Sequence, residues 1–191
     1  MNPHRSAHHA LVITATTLTL GLTACTSGDP TNPAPSTTAV PPAPSSTPAS
    51  PAETAKHQAI AAYLGMWEDV VAVSATSDWQ SPRLSNHTTG DALSVLSRQI
   101  YADHYNGLVS KGHPINNPAV QSVDPQDAPK TVMIHDCGDD SNWLKYRADN
   151  GRPADNEPGG KRNITAEVKL AVDGSWRVTR FAVEGVGTCA P

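Results

Sequence analysis

Between residues 26 and 55 the chain is built almost wholly from Pro, Thr, Ser, Ala and Gly. Such a stretch has too little apolar surface to offset the conformational entropy lost on folding. Its prolines favour extended, polyproline-like conformers. Residues 25–55 therefore read as a disordered but semi-rigid linker, at about 3.1 Å per residue when fully extended. A tail without function has the same composition. Either way the folded part is confined to residues 56–191, an ordinary length for one domain.

Residues 1–24 precede that linker. A weakly basic start, Arg5 among His4, His8 and His9, leads into an apolar run from Ala10 to Leu22 and a small-residue end. The run is shorter than the roughly 20 apolar residues of a membrane span, and Thr14, Thr16, Thr17 and Thr19 interrupt it. This is the pattern of a secretory signal peptide. Leu22-Thr23-Ala24-Cys25 resembles the lipobox of bacterial lipoproteins. The resemblance implies cleavage before Cys25, acylation of Cys25 (palmitate among the chains) and a lipid-held position on the extracytoplasmic face of the cell membrane. Stable attachment takes more than one acyl chain. The alternative is an ordinary signal peptide with full release.

The chain carries 14 Lys and Arg against 18 Asp and Glu, a net charge of −4. Charges of both signs are interspersed through 56–191 with no basic stripe, which argues against a nucleic-acid partner. With Cys25 committed to lipid, Cys137 and Cys189 remain. An even pair in an oxidising compartment points to a disulfide, which would contribute roughly 4 kcal/mol in the chain-entropy model. A free thiol or a pair of metal ligands are the alternatives. Within 56–191 no Cys-x-x-Cys or His-x-x-x-His spacing accompanies them, so no metal or cofactor is expected.

The spacing of apolar residues predicts a helix over 52–78, with Ile60, Tyr63, Leu64, Trp67, Val70, Val71 and Ser74 on one face. Glu68 and Asp69 lie beside that face, and Ser81-Pro82 breaks the segment. A second helix is predicted from about Thr89 to Val109, capped by Thr88 or Thr89, with Asp91 in its first turn. Its buried stripe is Leu93, Leu96, Ile100, Tyr101 or His104, and Leu108. The period then changes to two. Val120–Val123, Lys130–Cys137 and Trp143–Arg147 read as strands, Val132 and Ile134 facing one side and Met133 and His135 the other. Asn150-Gly151 and Pro158-Gly159-Gly160 punctuate the following loop. Ile164 to Val172 and Trp176 to Val183 form a hairpin around a two-residue Asp173-Gly174 turn. The parity change between Val178 and Phe181 predicts a bulge or a switch of face. Two helices followed by a strand meander give an α+β class.

That order, ending in Asp173-Gly174-Ser175-Trp176-Arg177-Val178, resembles the nuclear transport factor 2-like superfamily over roughly residues 56–187. More particularly, the chain resembles a group of secreted actinobacterial lipoproteins. The shared features are Tyr-Leu-x-Met-Trp (Tyr63 to Trp67), Asp-Cys-x-Asp-x-Ser-x-Trp (Asp136 to Trp143) and a terminal Gly-Thr-Cys (Gly187 to Cys189). The resemblance implies N-terminal helices packed in a curved, cone-like antiparallel sheet with an internal cavity, a lipid anchor and a disulfide. It implies no reaction.

Some members of the superfamily are isomerases, cyclases or dehydratases, whose cavities hold an Asp or His base and often a Tyr or second acid as donor. That chemistry needs a group whose pKa is tuned by an apolar pocket. His135 and Asp136 are the candidates here, with His104, Tyr63, Tyr101 and Asp69 behind them. Asp136, Asp139, Asp140 and Ser141 also suit a turn capped by side-chain hydrogen bonds, the reading preferred here. A Ca²⁺ site needs more regularly spaced oxygen ligands. No Gly-x-Ser-x-Gly or phosphate-cradling loop is present. Tyr63, Trp67, Tyr101, Trp143 and Trp176 are candidate cavity residues, although tryptophans at such spacing equally fit a core. The expectation is a membrane-anchored, non-catalytic module that binds a small apolar ligand or an envelope protein. The alternative is a cavity enzyme of isomerase, cyclase or dehydratase type. The two part on whether His135 and Asp136 reach a cavity floor.

Overall fold

Ser50 opens the first helix, α1 (Pro51–Ser74). Its side chain accepts from the Glu53 N–H at 3.2 Å and Pro51 follows it, a start signal in which the missing proline N–H costs nothing. The computed structural model describes residues 48–189, all within the second of the chain's two units, Ser46–Pro191. The signal peptide, Cys25 and the linker up to residue 47 lie outside the described residues. Residues 51–55 are the first turn of α1, in line with the helical spacing from residue 52 and against their reading as linker from composition.

The buried side of α1 is turned from the expected one. Tyr63, Trp67, Val70 and Ser74 are buried as predicted, but Ala52, Ala55, Ala59, Ala62, Met66 and Val73 are buried with them, while Ile60 and Leu64 only flank the core. A row of alanines leaves little bulk between the helix and what it packs on, so the close approach falls there. The helix ends at Ser74 rather than near Asp78. Ser77 adopts a left-handed φ of 52°, is buried, and its hydroxyl donates to the Leu108 carbonyl. A tertiary contact therefore ends the helix before Pro82, which begins a short 3-10 turn to Ser85.

The second helix, α2 (Gly90–Tyr105), buries Ala92, Leu96, Ile100 and Asp103. It does not run on to Val109. Gly107, at φ 63°, ends it in the manner of a C-terminal glycine. Leu108–Gly112 is instead a strand, β1, antiparallel to β4 (Trp143–Arg147). Leu108 and Val109 continue the helical spacing in sequence, which hides that strand.

The larger sheet has the order β2 (Ala119–Asp124), β3 (Thr131–Asp139), β5 (Lys161–Leu170), β6 (Trp176–Val183), antiparallel throughout. The register slips once at Gln121 in β2 and once at Thr179 in β6. The second slip is the predicted parity change, and such bulges bend a sheet. The β5–β6 turn differs from the predicted one. Ala171 N–H donates to Ser175 O at 2.8 Å, so the loop is the three-residue Val172-Asp173-Gly174, closed by Gly174 at φ 82°. A left-handed third residue is the signature of that longer loop. Val172 accordingly sits at an exposed tip rather than in the core.

The two helices pack on the sheet face that presents Val132, Ile134, Ile164, Ala166, Val168 and Val178, all buried. The result is the α+β architecture of helices held by curved antiparallel strands. Cys137 in β3 is bonded to Cys189, 52 residues on. The segment between β6 and Cys189 runs along β5, with Glu184 N–H to Asn163 O at 2.9 Å and Gly187 N–H to Lys161 O at 2.8 Å. No described helix is long and apolar enough to cross a membrane.

Candidate functional site

A cavity of about 510 Å³ opens among the two helices, β4 and the inner face of β5 and β6. Trp67 and Val70 of α1, Leu96 and Ile100 of α2, and Trp143 and Phe181 give it an apolar wall. The periodicities explain their convergence. Trp67 and Val70 share one face of α1, Leu96 and Ile100 are one turn apart on α2, and the bulge at Thr179 sets the face of Phe181.

Charged groups border this wall in pairs. Lys145 of β4 pairs with buried Asp103 of α2. Arg162 of β5 pairs with Asp140 at 2.7 Å. The loop after β4 supplies an exposed rim with Asp155 and Glu157. That loop is drawn in tightly at its end. Gly160 N–H donates to Asp140 Oδ1 at 2.6 Å, and a Cβ on Gly159 would lie 2.3 Å from the Asp140 carbonyl oxygen. Only glycine fits there.

Three rings meet steeply at the wall. Trp67 is edge-on to Trp143 at 5.9 Å between centroids and 88° between planes, and to Phe181 at 6.3 Å and 73°. The indole N–H groups of Trp67 and Trp143 are buried and reach no acceptor. The Trp67 N–H lies towards the Tyr63 oxygen and favours its ionised form, but falls short of hydrogen-bond geometry.

Asp136 lies on the inner face of β3 with Val132 and Ile134 and is fully buried. It is not open to the cavity. Its Oδ2 accepts from Tyr63 Oη at 2.8 Å and Asn116 Nδ2 at 2.7 Å, and its Oδ1 from the Asn117 N–H at 2.8 Å. It therefore does not cap the turn after β3. It fastens α1 and the β1–β2 loop to the sheet. Asp139 does the capping, accepting from Ser141 N–H at 2.9 Å. Burial, reinforced by the Asp136 charge, holds the Tyr63 hydroxyl protonated well above the usual phenol range.

The remaining candidates separate. Trp67 and Trp143 line the cavity, whereas Tyr63 and Trp176 are buried in the core outside its lining. Tyr101 is 49 % exposed, meets Trp79 edge-to-face and stacks with Tyr105 on the outer side of α2, because the stripe turns inward at Asp103 rather than at Tyr101 or His104. His104 is exposed. His135 faces away from Asp136 and bonds Asn163. Asp69 is buried between Arg83 Nε at 3.1 Å and His87 Nδ1 at 2.7 Å. Asp103, Lys145, Arg162 and Phe181 were not singled out from sequence. Asp103 had a signal, since it falls three residues after Ile100 on the apolar stripe. Among the described residues no cluster of His, Cys, Asp or Glu could hold a metal ion.

No family model and no curated protein matches the chain. Among solved structures, it is similar to the intermembrane space region of the chloroplast protein ARC6, with a TM-score of 0.44 at 14% identity, covering 71% of this chain and 98% of that one. A ketosteroid isomerase-like protein from Erwinia carotovora atroseptica aligns with a TM-score of 0.42 at 10% identity, over 67% and 93% of the two chains. A protein with a cystatin-like fold from Nostoc punctiforme aligns with a TM-score of 0.42 at 10% identity, over 68% and 92%.

Proposed function

We propose that this chain is a lipid-anchored binding protein of the bacterial cell envelope. Cys25 holds it to the extracytoplasmic face of the membrane, the linker lifts the α+β domain away from the bilayer, and the domain takes a small, largely apolar ligand without transforming it. The observation that carries the reading is the cavity, whose volume of about 510 Å³ falls within the range of ligand sites. Leu22-Thr23-Ala24-Cys25 supports the anchor. The Cys137–Cys189 bond fits an oxidising compartment.

The acid–base alternative loses its named candidates. His135 points to the opposite face of the sheet, and Asp136 is enclosed by three donors with Tyr63 and Asn116 in front of it. Two carboxylates that do reach the cavity wall, Asp103 and Asp140, are each held in an ion pair, with Lys145 and Arg162.

Native mass spectrometry of the gently purified protein tests the binding half. A persistent added mass that is lost on denaturation is expected, and a clean unliganded mass that no apolar additive changes would overturn it. Cys25→Ala tests the anchor. The protein should leave the membrane fraction, and unchanged retention would contradict lipid attachment.

A further inference from the structure

We infer that the cavity selects an organic cation, an ammonium or similar positive head on an apolar body. The inference rests on the reading of the cavity as a ligand site and adds the sign of the ligand's charge. Its walls and rim carry four carboxylates, Asp103, Asp140, Asp155 and Glu157, against two cations, Lys145 and Arg162. Both cations are already taken, Lys145 by Asp103 and Arg162 by Asp140. The surplus acids Asp155 and Glu157 stand on the exposed rim and form no ion pair among the described residues. Carboxylates around a low-dielectric opening raise the local concentration of cations.

The inner wall suits the same charge by a separate route. Trp67, Trp143 and Phe181 line it and meet at 73–88°, so the wall holds ring planes in more than one orientation. An aromatic face carries partial negative charge and attracts a cation within about 6 Å of its centre, tryptophan most strongly. Trp67 is 9% exposed and its ring packs against Tyr63, Trp143 and Phe181. An anion would meet the two surplus carboxylates, and Lys145 or Arg162 could serve it only by leaving Asp103 or Asp140. A neutral apolar molecule would gain the wall but nothing from the rim.

Three isosteric probes separate these cases: benzyltrimethylammonium, neutral neopentylbenzene and anionic phenylmethanesulfonate. Binding to the full chain carrying Cys25→Ser is followed by tryptophan fluorescence and calorimetry. The cation should bind at least about tenfold more tightly than the neutral probe, with the sulfonate weakest. Trp143→Leu should weaken the cation about 2- to 30-fold. The exposed double variant Asp155→Asn/Glu157→Gln, which leaves the core untouched, should weaken the cation and flatten its salt dependence while leaving the neutral probe unchanged. Equal or tighter binding of the neutral probe would overturn the cation inference and leave the apolar-ligand reading standing. Tightest binding of the sulfonate would overturn the inference as well. Failure of all three probes to bind would overturn both.

Discussion

Asp136 shows how much one buried carboxylate can organise. Its three donors come from α1, from a side chain and from a backbone N–H of the β1–β2 loop, so one residue couples three parts of the chain. Removing a donor from a buried charged acceptor costs about 1–3 kcal/mol. Tyr63→Phe should lower the unfolding free energy by that amount in urea titration, and an unchanged midpoint would mean that the remaining donors suffice. Glu167 gives a second test at this scale. Hydrogen bonding from Arg180, against the opposing effect of burial and helped by Thr179 and Lys169, holds its carboxyl at about 2 instead of 4.5. A folded-state value below the unfolded one means stability that is present above pH 4.5 and lost as pH falls from there towards about 2. Glu167→Gln should be less stable at neutral pH and should show a shallower loss over that acid window. Parallel stability profiles for the two proteins would remove Glu167 from the acid response. The sequence drew attention to Asp136 but could not assign its role, because its partners lie some 20 and 73 residues away. Local turn chemistry accounted for Asp139 instead.

At the scale of elements, the interiors were legible and the ends were not. The alternation in β3 and β5 and the stripe of α2 put Val132, Ile134, Ile164, Leu96 and Ile100 on their buried faces. The ends of both helices were set by features that spacing does not encode: the contact from Ser77 to Leu108 and the left-handed Gly107. β1 was hidden because its partner, β4, is remote in sequence. Of the cavity, Trp67 and Trp143 could be named, whereas its ion pairs join elements that only the fold brings together. Gly65 offers a test of element packing. Glycine inside a helix normally costs about 0.5–1 kcal/mol relative to alanine. Here a Cβ would lie 2.7 Å from the His87 ring, which Asp69 holds through Nδ1 at 2.7 Å. Gly65→Ala should therefore destabilise the protein, and the same change in a His87→Ala background should stabilise it. Additive effects in that double-mutant cycle would show that the ring yields freely.

For the whole molecule, the informative feature is the strap that follows β6. It borrows hydrogen bonds from β5 and ends in the bond to β3, so the last residues of the described chain are closed onto the middle of the sheet. Loss of a native disulfide from a small secreted domain costs about 2–5 kcal/mol. Cys137→Ser/Cys189→Ser should melt at lower temperature, and its Glu184 and Gly187 amides should exchange faster than in the parent. Exchange as slow as in the parent would mean that the backbone bonds hold the strap unaided.

The steep packing of Trp67 against Trp143 also has an optical consequence. Two indoles 5.9 Å apart at 88° sit in a fixed asymmetric environment, and near-ultraviolet circular dichroism is sensitive to such tertiary packing. The cavity wall is thus its own chromophore: an occupant that shifts either ring by a few degrees alters the spectrum without any label, and the unliganded protein supplies its own baseline.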